Sequence, residues 1–149
     1  MMLSSALVFA GLFVACSVEG YGDKFAQRFP KWNNIEVRSI TQTSAEVRWP
    51  LIPFVDHYKV YTIQPYNSDK TPELREFVTA TQANKNEGYA SIKISRLPTG
   101  EYVNVYITDI FDETLGYVPE LFFTNCRDGW SRCPIENQRY ECRLSCRTH

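Results

Sequence analysis

The chain has 149 residues, a formal charge of −1 and 44% hydrophobic residues. Near-neutrality provides no long-range field for nucleic acid or an anionic membrane, so no nucleic-acid partner is expected. An apolar start and five cysteines, four of them in the last 24 residues, point instead to an oxidising compartment.

Ala6 to Cys16 is an apolar run with the length of a signal-peptide core, too short to span a bilayer. Small residues permit cleavage before Val18 or before Tyr21, so residues 1–17, or at most 1–20, are assigned as a leader. Met1 to Ser5 lacks the usual Lys or Arg, and the alternative is a buried N-terminal strand. Cleavage would leave four cysteines, an even number, and no membrane span in the mature form. Residues 18–32 then form an N-terminal segment ahead of a domain at 33–125 and a cysteine-rich tail at 126–149.

From Ile35 the chain reads as short strands. Ile35 to Val37 alternates, as does Ala45 to Trp49, with Ala45, Val47 and Trp49 on one face and Glu46 and Arg48 on the other. Tyr58 to Ile63, Leu74 to Thr79, Ala90 to Ile94, Val103 to Ile107 and Tyr117 to Phe123 follow. Breakers stand between them: Pro50 and Pro53, Asn67 to Asp69, Asn84 to Gly88, Pro98 to Gly100, and Asp112 to Gly116. Seven such strands predict an all-β fold, a seven-stranded antiparallel immunoglobulin-like sandwich. No helical period is visible before Pro134.

Ser44 to Trp49, then Tyr58 to Val60, then Leu97-Pro-Thr-Gly-Glu-Tyr102 with alternating valines after it, together resemble a fibronectin type III domain. The resemblance covers Trp32 to Asn125. It implies seven strands, core positions for Trp49 and Tyr58, no enzymatic centre, and loops at the poles of the sandwich used for adhesion or ligand capture. The family places its corner tyrosine six residues after the leucine, whereas here that position is Val103. Val103, Val105 and Ile107 share one face, so Tyr102 is expected to have left the core, since a one-residue slip reverses every side chain.

The sequence is poor in catalytic groups. His57 begins a strand beside Tyr58 and is expected to face solvent, and His149 is the last residue. Asp109, Asp112 and Glu113 cluster between the sixth and seventh strands, and are read as a solvated turn rather than a Ca²⁺ loop or an acid pair. No catalytic residue, metal ligand or cofactor is assigned.

The tail spaces Cys126, Cys133, Cys142 and Cys146 as C-x6-C-x8-C-x3-C and is too short to bury a core. Pro134 can open a helix through Cys146, which would put Cys142 and Cys146 on one face, opposite two upstream partners. Two pairings survive. The nested one, Cys126 with Cys146 and Cys133 with Cys142, is marginally preferred.

The functional lead is hydrophobic. The loop after Trp49 carries Leu51, Ile52 and Phe54, and the acidic loop carries Phe111 and Leu115. In the fibronectin type III arrangement these loops share a pole, and an apolar patch there, rimmed by Asp56, Asp112 and Glu113, suits protein binding. The tail or the segment from Val18 to Lys31 could equally fold over it. The expected protein is a secreted, extracellular, non-catalytic module that binds a protein or matrix component, of unknown oligomeric state. The alternative is a secreted effector, of venom or salivary type, whose Arg-rich disulfide knot blocks a channel or a protease.

Overall fold

The computed structural model describes residues 34–147. The leader, the segment to Lys31 and His149 lie outside the described residues. Seven strands form two antiparallel sheets. One has three strands, β1 (Glu36–Arg38), β2 (Ala45–Pro50) and β5 (Tyr89–Ile94), in the order β1-β2-β5. The other has four, β3 (His57–Ile63), β4 (Glu73–Thr79), β6 (Tyr102–Thr108) and β7 (Glu120–Phe123), in the order β4-β3-β6-β7. The chain is thus an antiparallel sandwich of the immunoglobulin-like, fibronectin type III kind.

Alternation decides which side chains meet between the sheets. Ala45, Val47 and Trp49 of β2 are buried, and face Tyr58 and Val60 of β3 and Val103, Val105 and Ile107 of β6 within one core. Trp49 meets Tyr58 edge-on, ring centroids 5.8 Å apart, a geometry that aligns ring edge with ring face. Both rings are fully buried, as the resemblance implies. Tyr102 stands outside the core while Val103 is inside, the slip expected from the spacing.

Two local features differ from expectation. Gln82–Glu87, which overlaps the stretch from Asn84 to Gly88 read as a turn, forms a short helix, α1, closed by a Thr81–Asn84 capping box and by Gly88 at φ +91°. It buries no residue, so no apolar period announces it. The seventh strand shortens to Glu120–Phe123, because Pro119 has no N–H to give the ladder.

The tail is a β-hairpin rather than a helix. β8 (Ser131–Ile135) pairs with β9 (Arg139–Arg143), and Asn137 and Gln138, at φ +61° and +59°, turn the chain between them. Pro134 lies opposite Tyr140, whose N–H donates instead to the Tyr102 hydroxyl of the sandwich at 2.8 Å.

The hairpin also overturns the nested pairing. The bridges are Cys126–Cys142 and Cys133–Cys146. Cys133 is opposite Glu141 and Cys142 is opposite Arg132, so the two cysteines lie on opposite faces of the hairpin and cannot meet. Cys142 turns to Cys126, where the chain leaves β7. Cys133 takes the C-terminal Cys146.

The tail docks at the end of the sandwich that holds the β1–β2, β3–β4 and β5–β6 connections. Gln42 donates to Asp128 at 2.9 Å, and Gly100 at φ +64° faces the Cys126–Cys142 bridge. A Cβ on Gly100 would stand 2.5 Å from Cys142 Sγ. Tyr102 fills out this contact by meeting Tyr66 and Phe123 edge-on. Its outward turn therefore supplies the surface on which the hairpin rests.

Candidate functional site

The opposite pole carries the β2–β3, β4–β5 and β6–β7 loops. Backbone bonds tie them together: Leu51 N–H to Gly88 O at 3.0 Å and Ala80 N–H to Asp56 O at 2.8 Å. The Tyr117 hydroxyl donates to the Pro50 carbonyl, fastening the third loop to the first. The Tyr58 hydroxyl, reaching this pole from the core, accepts Ile52 N–H at 3.0 Å. Burial pushes its phenol above the usual range.

Ile52-Pro53-Phe54-Val55 closes through Val55 N–H to Ile52 O at 3.2 Å, with Phe54 at φ +70°. Proline second and a positive φ third is the pattern of a type II turn, whose third position favours Gly or Asn. A bulky side chain in that left-handed region costs about 1–2 kcal/mol. The Phe54 ring does not offset this by burial, for it is fully exposed (102%).

Across the pole, Asp109 organises the acidic loop. Its carboxylate accepts Phe111 N–H at 2.8 Å and Glu113 N–H at 3.0 Å. Asp112, at φ +64°, accepts from the Tyr61 hydroxyl and from Lys59 Nζ, the latter at 3.0 Å. Those two partners, the hydroxyl first, hold the Asp112 carboxyl below its usual range. Phe111, 76% exposed, and Ile110 project from the loop so held.

The five apolar residues predicted for this patch therefore separate. Leu51 is 2% exposed and belongs to the core, which corrects its place in the patch. It sits one residue beyond β2 and keeps that strand's approach to the core. Ile52 and Leu115 are half-buried and pack against the core from the pole. Phe54 and Phe111 remain on the surface. Ile110, also exposed, belongs with them. The tail does not cover this pole, since it docks at the other. Asp56 forms an ion pair with Lys85 of α1 at 2.8 Å. His57 is exposed, with Nδ1 3.2 Å from the Thr79 hydroxyl.

No family model matches the chain, and no curated protein matches it. Solved structures do. The sensor domain of the anti-sigma factor RsgI4 from Pseudobacteroides cellulosolvens is 15% identical, with a TM-score of 0.48, and covers 62% of this chain and 92% of that one. A structure described as a myokine is 19% identical over 61% of this chain and 92% of its own, with a TM-score of 0.45. The third fibronectin III domain of the human KIAA0343 protein is 15% identical, with a TM-score of 0.44, covering 64% and 82%. At that distance the likeness says nothing of activity or partner. Among the described residues no helix is long and apolar enough to cross a membrane.

Proposed function

We propose that the protein is a secreted, non-catalytic binding module that captures a protein partner through the loop tips carrying Phe54 and Phe111. The observation that carries this reading is Phe54 itself. A phenylalanine in a left-handed turn position costs stability, its exposed ring regains none of it by burial, and such local strain belongs at ligand contacts. Phe111 and Ile110 extend the apolar surface, and Asp109 and Asp112 hold their loop before any partner arrives, so little order is lost on binding. The disulfides of the tail support an extracellular setting.

The test replaces Phe54 and Phe111 together by serine and measures capture of partner from the surrounding extracellular fluid by quantitative mass spectrometry. Capture should be lost while the thermal midpoint stays within a few degrees. Charge reversal at Arg139 and Arg143 should leave that capture unchanged. If the arginine changes are decisive and the phenylalanine changes silent, the Arg-rich effector reading takes its place.

A further inference from the structure

A cleft of about 700 Å³ separates the tail hairpin from the sandwich, far from the apolar pole. That volume falls within the roughly 300–1,000 Å³ typical of small-molecule sites. Its walls include two cations, Arg127 and Arg139, each placed over an aromatic ring. The Arg127 guanidinium lies 3.8 Å from the Trp130 ring centre, and that of Arg139 lies 3.7 Å from the Tyr66 ring centre.

A guanidinium over a ring still has N–H groups to donate. Among the described residues neither arginine has a carboxylate within ion-pair distance or a side-chain hydrogen bond, and the buried Arg139 Nε has no acceptor. Other tail cations differ. Arg143 pairs with Glu141 at 3.0 Å, and Arg132, placed over Tyr140 at 3.9 Å, does not line the cleft. Two positioned guanidinium groups that line one cavity and have no carboxylate within ion-pair distance can donate to an anion, as planar forks do to carboxylate and phosphate.

The remaining walls narrow the ligand. Glu101 and Glu141 also line the cleft and balance its formal charge, so a single anionic group can pair with the arginines while a polyanionic strand finds no net positive field. They would accept hydrogen bonds from hydroxyl groups, and Tyr66, Tyr102 and Trp130 offer apolar surface beside them. We propose that this cleft, assembled by the Cys126–Cys142 bridge, binds an acidic sugar unit, its carboxylate or sulfate held by Arg127 and Arg139 and its hydroxyls by the two glutamates. The site is independent of the pole, and either can fail without the other.

Calorimetry on the oxidised protein tests it with three probes: a sialyllactose, a lactose sulfate that carries no carboxylate, and neutral lactose. At least one acidic probe should bind, and lactose should bind about tenfold more weakly or not at all, the order carried by hydrogen bonds to charged groups. Binding of the sialyllactose alone assigns a carboxylate, and of the sulfated probe alone a sulfate. Arg127→Gln and Arg139→Gln should each weaken binding about tenfold, while Arg132→Gln and Arg147→Gln, at residues outside the cleft lining, leave it intact. Arg127 is exposed, so its variant keeps the test open should Arg139→Gln loosen the tail. The proposal is overturned if neither acidic probe binds at millimolar concentration or if lactose binds equally well. Equal losses at all four arginines, or tighter binding of a short DNA oligonucleotide, also overturn it.

Discussion

Phe54 and Glu120 are each held where their own chemistry works against the fold. For Phe54 the disfavoured quantity is a backbone angle. Replacement by glycine relieves it but adds unfolded-chain entropy, so Phe54→Gly should leave the unfolding free energy unchanged or raise it by up to about 1 kcal/mol. Chemical denaturation measures this, and a loss of stability would mean that the ring supports the fold. For comparison, Trp49→Ala in the core should cost about 3–5 kcal/mol through the cavity it leaves. For Glu120 the disfavoured quantity is charge. The register sets it opposite core-facing Val105, and burial raises its carboxyl above the usual range. A carboxyl raised in the folded state stabilises fully below its unfolded pKa, and that contribution is lost as pH rises through the folded value. Glu120→Gln should therefore raise the thermal midpoint at about pH 7 and change little at about pH 3, where both side chains are neutral. A midpoint lowered at neutral pH would contradict that sign.

At the scale of elements, what could be read locally and what could not divides at Asn125. The sandwich strands announce themselves because alternation reports directly on a half-buried pleat, and Trp49, Tyr58 and Val103 fall where it puts them. The hairpin does not, because a two-stranded ribbon is marginal alone. Its order comes from two bridges, each worth about 2–4 kcal/mol, and from contacts to Tyr102, Phe123 and Tyr66 far away in sequence. Helical spacing of Cys142 and Cys146 was a local signal with no tertiary support. Leu51 was misplaced for a related reason, since an apolar residue just past a strand reads the same whether it turns inward or outward. Gly100 is the residue on which tail and sandwich meet. Gly100→Ala should displace the Cys126–Cys142 bridge and speed amide exchange at Tyr140, while exchange in β2, β3 and β6 stays slow. Unchanged exchange at Tyr140 would show that the close approach is not needed.

Taken as a whole, the described residues share one core with two differently built ends. The core draws its apolar residues from the seven-stranded sandwich and its pole, and none comes from the hairpin. A chain ending at Asn125 should thus still unfold cooperatively, at a lower temperature, because Tyr102 and Phe123 lose their cover. Loss of β-sheet circular dichroism in that chain would make the tail part of the fold rather than an attachment to it. The other end carries the account's central claim, that Phe54 and Phe111 face water because a partner needs them. The most direct measurement combines Phe54→Gly with Phe111→Ser and follows thermal unfolding and partner capture on the same sample. The account predicts a midpoint within a few degrees of the parent and capture lost. A sharply lowered midpoint, or capture retained at the parent level, would contradict it.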